Sequence, residues 1–275
     1  MKLASNNAAL IADSFLSARR AAKGLTDYPG DMPSSLDEAY AVQDAAIAAW
    51  ERPVIGWKVG RVPPALISRF DAERIAGPIF SARMGQTEAG QVEMPVFGEG
   101  FAAGEAEFLL RIGCSPDPEQ DRFTLEQAAE LIDEVNVGIE IASSPLGAIN
   151  ELGPVAVVSD FGNNNGLVIG DAIPDWRGSG FEQWEVTTLI DDAEAGRGRA
   201  SGFPDGAIGS ARFLFELMAR RGIRLEPGQW ISTGAVTGVH KARPGQVVES
   251  RFAEGMSVRC RLVEALPEPQ HPDCR

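Results

Sequence analysis

The sequence predicts an α+β protein in which helices come first and strands supply most of the remainder. Two stretches within residues 7–50 carry apolar side chains at helical spacing. From residue 54 onward, short apolar runs bounded by Gly and Pro recur, several with period-two alternation. The chain from Gln229 onward reads as strand and turn alone.

Taken in order, residues 7–22 are Ala-rich, with Leu10, Phe15 and Leu16 on helical spacing and Gly24 as the expected stop. A loop follows, marked by Pro29-Gly30 and Pro33. The second helix opens on Ser35 with Glu38 three residues on, the pattern of a capping box, and gathers Ala39, Val42, Ala45, Ala46 and Trp50 on one side. Val54 to Gly60 is a short strand between glycines that contains Lys58. Its ammonium is either an ordinary edge-strand charge or held in a pocket, where desolvation would lower its pKa. Residues 61–100 read as loop-rich, with Pro63, Pro64, Pro78 and Pro95 and no long periodic segment.

Residues 104–112 form the next strand, since Ala106, Phe108, Leu110 and Ile112 recur with period two. A helix begins at the cap Thr124, with Gln127 completing a box, and is expected to run to about Glu134. A strand over 137–142 follows, then an Asn/Gly turn at 162–166 between two apolar strands, Val155–Val158 and Leu167–Gly170. Trp184 to Ile190 reads as a strand, Asp191 to Gly198 as an exposed loop, and Ala207 to Arg221 as an amphipathic helix stopped by Gly222. The strands Gln229–Gly234, Val247–Glu249 and Ser257–Val263 close the chain. The expected organisation is a helical cap over 1–53, a main domain over 54–266 and a polar tail over 267–275.

A chain of 275 residues with 44% hydrophobic and 23% charged residues can bury a substantial core. Its apolar runs fall well short of the ~20 residues of a membrane span, and the start shows no signal-peptide pattern, so the cytoplasm is the expected location. A net charge of −14 repels phosphate backbones, which argues against a nucleic-acid partner. Cys114, Cys260 and Cys274 lack metal-site or disulfide-framework spacing, and each reads as a buried structural residue or as chance. With only His240 and His271 available, a His-rich metal site is excluded, and acid–base work falls to Lys, Glu, Asp or water.

The carboxylates are the chemically telling feature. Alternation puts Glu105 and Glu107 on the same strand face, and Glu140 interrupts another apolar run, between Ile139 and Ile141. Glu-x-Glu is common on solvent-facing strands, but a carboxylate inside an apolar run is costly to bury without a partner. If the two strands meet, three carboxylates converge, the oxygen donor set that a hard divalent cation takes.

The ordered set of Gly56-Trp57-Lys58-Val59-Gly60, Glu105-x-Glu107, Ile139-Glu140-Ile141, Ser159-Asp160 with its Asn-rich turn, Leu167–Gly170 and Ser232-Thr233-Gly234 resembles the 2-keto-4-pentenoate hydratase and oxalocrotonate decarboxylase branch of the fumarylacetoacetate hydrolase superfamily. The resemblance runs from about residue 35 to 265 and implies a mixed β-roll catalytic domain behind N-terminal helices, in a homo-oligomer. It further implies Mg2+ or Mn2+ on Glu105, Glu107 and Glu140, Lys58 as the active-site lysine, and Ser159, Asp160, Thr233 and Gly234 around a small 2-oxo or 2-hydroxydienoate acid. The implied reaction is hydration of a 2-hydroxy-2,4-dienoate; the alternatives are decarboxylation of a 2-oxo diacid and a metal-binding homologue without chemistry. One departure bears on the reaction: the family's acidic Asp-x-Pro-Asp segment has no counterpart here, where Glu73 to Phe80 carries no aspartate beside Pro78.

Overall fold

The computed structural model describes residues 5–85 and 92–269; His271 and Cys274, like residues 270–275 of the expected tail, lie outside them. Its elements in chain order are α1 (Ser5–Ala21), α2 (Leu36–Trp50), β1 (Gly56–Arg61), α3 (Pro64–Phe70), β2 (Arg74–Ile79), β3 (Ala82–Met84), β4 (Val92–Val96) and β5 (Phe101–Ile112). There follow α4 (Leu125–Glu130), β6 (Ile132–Ser144), α5 (Ile149–Leu152), α6 (Pro154–Ser159), β7 (Asn164–Ala172), β8 (Val186–Ile190) and β9 (Ala193–Gly198). The chain closes with α7 (Gly206–Arg221), β10 (Trp230–Ser232), β11 (Val247–Arg251) and β12 (Ser257–Glu264). The α+β class expected from the sequence is the class observed.

Two mixed sheets result. Seven strands run in the order β2-β1-β10-β5-β6-β7-β3, and five in the order β4-β12-β11-β8-β9. Long β5 and β6 pair antiparallel at the centre of the larger sheet. The sheets approach closely where glycine spares a side chain. A Cβ on Gly104 of β5 would come within 2.9 Å of Val248, and one on Gly170 of β7 within 2.3 Å of Val258.

The two faces of β5 have different neighbours. Ala106, Phe108, Leu110 and Ile112 enter the main core shared with the smaller sheet. On the other face, Ala103 belongs to the cluster under α1 and α2, whereas Leu109 sits with Ile79 and Leu167. Glu105 and Glu107 lie between these two apolar clusters, and that is where the site forms.

Several expectations are corrected. Residues 61–100 contain α3, β2 and β3 and β4 among their described positions. Strand β2 is buried along its whole length, so no alternation betrays it, and its Pro78 obscures it further. Val155–Val158 is helix α6, because Gly153 turns the chain at φ +92° and Pro154 sets the first helical residue. Asp191 to Gly198 is half of a hairpin: Asp191 and Asp192, both at positive φ, join Ile190 to its partner Ala193. Helix α4 keeps its full capping box but ends at Glu130, where β6 takes over. The Ser35 cap accepts from the Glu38 amide, yet the Glu38 carboxylate reaches Ser34 instead of closing the box. Helix α1 stops at Ala21, ahead of Gly24, with Ala22 taking the left-handed turn. Cys260 is buried as expected, whereas Cys114 is exposed.

Candidate metal centre and active-site cleft

Register brings the carboxylates together. Glu105 on β5 stands directly opposite Glu140 on β6, and Glu107 opposite Gly138. All three are buried, and one oxygen from each lies within 4.8 Å of the others.

Each of two carboxylates has one oxygen held and one left over. Glu107 Oε2 accepts from the Ser232 hydroxyl at 2.5 Å and from the Gly234 amide at 2.8 Å. Its Oε1 is buried with no hydrogen-bond partner. Glu140 Oε1 accepts from Asn164 Nδ2 at 2.8 Å, while its Oε2 faces Lys58 Nζ at 3.3 Å without a hydrogen bond of good geometry. Buried oxygens that no hydrogen bond satisfies, on carboxylates gathered within 4.8 Å of one another, are what a bound cation satisfies, so the residues fit a hard divalent ion.

The electrostatics agree. Burial first, then the charge of Glu140, pushes the Glu105 pKa up to about 8 despite Lys58 nearby. Burial followed by the charges of Glu140 and Glu105 raises Glu107 well above the usual carboxylate range. Burial and like charge thus favour the protonated forms of Glu105 and Glu107, and added positive charge would favour their ionised forms. Lys58 is in the pocket, one of the two places open to it, but the shift runs the other way from desolvation alone: burial pulls its pKa down, and Glu140, Glu105 and Glu107 together raise it above its ordinary value. It is therefore a charged ammonium, on a strand flanked by β2 and β10 rather than at an edge.

A cleft of about 340 Å³ opens over this cluster, with Lys58, Glu105, Glu107, Asn163 and Gly234 among its lining residues. Asn163 arrives there through a strained turn in which Phe161, Gly162 and Asn163 all have positive φ, between +53° and +68°. A Cβ on Gly77 would come within 2.3 Å of the Phe161 carbonyl, and one on Gly162 within 3.0 Å of the Lys58 stem, so two glycines let this turn close over the lysine. The three asparagines divide their work: Asn163 faces the cleft, Asn164 holds Glu140, and Asn165 bridges Arg19 and the Pro95 carbonyl.

Of the residues the resemblance assigned to substrate, Gly234 lines the cleft, but the others turn away. The Ser159 hydroxyl donates to the Val155 carbonyl and accepts from Tyr28. Asp160 is in a buried ion pair with Arg19 at 2.6 Å, and the Thr233 hydroxyl donates to the Phe108 carbonyl. These three are structural supports under the site. His240 Nε2 is 2.8 Å from the Thr237 carbonyl and does not line the cleft. Sequence reading gave no role to Ser232, and for the Asn-rich turn it left open either a plain turn or a pocket lining of amide groups. The structure puts Asn163 at the cleft and Asn164 on Glu140. The Asn run was the one visible signal for the two asparagines, and nothing in spacing pointed Ser232 at a carboxylate.

By sequence, no family profile and no curated protein matches the chain. By structure, it is similar to 4-oxalocrotonate decarboxylase from Pseudomonas putida G7 complexed with magnesium and adipate, at 18% identity and a TM-score of 0.77, covering 95% of this chain and 99% of that one. It is also similar to 2-hydroxyhepta-2,4-diene-1,7-dioate isomerase from Mycobacterium marinum, at 16% identity and a TM-score of 0.55, over 78% of this chain and 77% of that one. Fumarylpyruvate hydrolase from Pseudomonas aeruginosa, in complex with Mn2+ and pyruvate, aligns at 17% identity and a TM-score of 0.52, over 76% of this chain and 88% of that one. At these identities the likeness is one of fold. No helix among the described residues is long and apolar enough to cross a membrane.

Proposed function

We propose that this chain is a metal-dependent lyase of the fumarylacetoacetate hydrolase superfamily, in the branch of the 2-keto-4-pentenoate hydratases and oxalocrotonate decarboxylases. The observation that carries the proposal is the buried Glu105–Glu107–Glu140 cluster, with unpartnered oxygens beside the Lys58 ammonium in an open cleft. Mg2+ or Mn2+ is the matching cation, given an all-oxygen donor set. When bound, it would supply positive charge to the carboxylate and 2-oxygen of a 2-oxo or 2-hydroxydienoate acid.

The chain's own groups do the rest. Ser232, the Gly234 amide and Asn164 fix the carboxylates so that their free oxygens point inward. Lys58, kept charged by its neighbours, holds a proton at Nζ for delivery to C5 of a 2-hydroxy-2,4-dienoate. Asn163 Oδ1 is buried with no hydrogen-bond partner, at the cleft. It serves as the acceptor that orients water for addition at C4, giving a 4-hydroxy-2-oxo acid.

Decarboxylation of a 2-oxo diacid is the second reading. It is favoured by the absence, among the described cleft-lining residues, of any carboxylate beyond the cluster that could act as a base toward water. Gly77-Pro78 stands beside Lys58, in the segment where the hydratases carry their acid. A panel of 2-oxo and 2-hydroxydienoate acids, assayed with Mg2+ or Mn2+ by ultraviolet absorbance and CO2 release, tests the proposal. Turnover without CO2 is expected; CO2 release would select the decarboxylase reading, and metal binding without turnover would leave a non-catalytic homologue. Assembly as a homo-oligomer is part of the same proposal, and sedimentation velocity tests it.

A further inference from the structure

Arg19 sits in the last turn of α1, a helix that the sequence sets apart as a cap, yet its guanidinium reaches a turn 141 residues further on. The ion pair there is two-pronged: Nε donates to Asp160 Oδ1 at 2.6 Å and Nη2 to Oδ2 at 2.9 Å. Nη1 donates to Asn165 Oδ1 at 3.1 Å, and Nη2 also reaches the Ser143 carbonyl of β6 at 3.2 Å. The guanidinium carbon lies 5.1 Å from the Phe161 ring centroid and 5.5 Å from that of Phe97. One side chain thus grips the residue before the strained turn, the first residue of that turn, and the residue after Asn164.

Between those grips lie the two asparagines that serve the site. Phe161 and Asn163 hold φ of +53° and +64°, a conformation unfavourable for a residue with a Cβ, which persists where its surroundings enforce it. Asn163 carries the unpartnered Oδ1 at the cleft, and Asn164 donates to Glu140 Oε1. Arg19 and Asp160 are both buried, and neither is among the described residues that line the cleft. Desolvation offsets most of the attraction in a buried ion pair, so net stability is a poor account of this one. A planar arginine fork does fix direction, because its donors hold two acceptors at set angles.

We propose that Arg19 is a positioning residue for the metal centre, acting through Asp160 and Asn165 to hold Asn164 on Glu140 and Asn163 at the cleft. Helix α1 is then a working part of the site and not only a cap beside it. This rests on the reading of Glu105, Glu107 and Glu140 as the metal centre, and the two fail in different ways.

Mg2+ binding is measured by calorimetry on the full chain, with urea unfolding of each variant in the absence of metal. The double variant Arg19→Met, Asp160→Leu removes both buried charges together, so neither is left uncompensated. It is expected to unfold at about the wild-type urea concentration or higher, and to bind Mg2+ about 10- to 100-fold more weakly. Asn165→Ala leaves the ion pair and removes one grip, for an expected loss of about 2- to 10-fold, the range of one hydrogen bond. Arg19→Lys keeps the charge without the fork, and is expected to fall between the wild type and the double variant. Ile11→Ala, on the same helix but packed against Gly30, is the stability control: its urea midpoint falls and its Mg2+ affinity does not. Wild-type Mg2+ affinity in the double variant, or in Asn165→Ala should the double variant not fold, overturns the role of Arg19. So does an equal loss of affinity in Ile11→Ala, since affinity would then follow stability alone. Failure of the wild type itself to bind Mg2+ overturns the metal-centre reading, and this role with it.

Discussion

Glu107 shows how much a site residue depends on its second contact. One oxygen is pinned by Ser232 and Gly234, and the other is left without a partner in a buried setting. Glu107→Gln is expected to abolish Mg2+ binding and metal-dependent turnover while far-ultraviolet circular dichroism stays native. Ser232→Ala keeps every ligand but frees Glu107 to rotate, and is expected to weaken Mg2+ by about 10- to 100-fold in calorimetry, the usual effect of an outer-sphere partner. Lys58→Ala is expected to lower kcat more than Mg2+ affinity, since its ammonium contacts Glu140 but is placed to move a proton. Unchanged turnover in that variant removes the lysine from the mechanism.

At the scale of elements, the site is a consequence of antiparallel pairing between β5 and β6. A shift of one residue would carry every glutamate on the moving strand to the opposite face, into the main core. The turn after α6 is the second device, three successive residues at positive φ seated against Gly77 of β2. Gly77→Ala sets a methyl against the Phe161 backbone, and is expected to cost about 1–3 kcal/mol in urea unfolding and to displace Asn163 and Asn164. The sequence made the Asn run visible as a turn. It concealed α6, because a run of valines in a buried helix carries the same composition as a strand.

For the whole molecule, the buried carboxylates couple stability to pH and to metal. A glutamate unfolded loses its proton near pH 4.3, but folded Glu105 retains it to about 8. The native state therefore binds more protons than the unfolded state across that interval, and stability falls as pH rises through it. In the absence of divalent ions, Tm is expected to decline from about pH 5 to pH 8 by differential scanning calorimetry. Added Mg2+ is expected to raise Tm more at pH 8 than at pH 6, because binding requires the deprotonated ligands. A Tm equally raised at both pH values argues against proton-linked binding. The net charge of −14 adds a uniform repulsion, against which Lys58 is a local positive charge in the cleft.

The sequence by itself determined the helices at the start, the β5 alternation, the shared face of Glu105 and Glu107, and the oddity of Glu140 among isoleucines. Those features are local, fixed by period and by the cost of a charge in an apolar run. Only the tertiary structure decided that Glu140 faces Glu105, that Lys58 stays charged, and that Ser159, Asp160 and Thr233 hold the scaffold rather than line the cleft. Spacing along a chain cannot report which hydroxyl meets which carboxylate across strands more than a hundred residues apart, and Ser232 reaches Glu107 from 125 residues away. A pKa likewise depends on every neighbour that burial brings close, which is why burial alone would lower the Lys58 pKa but the three glutamates beside it raise it.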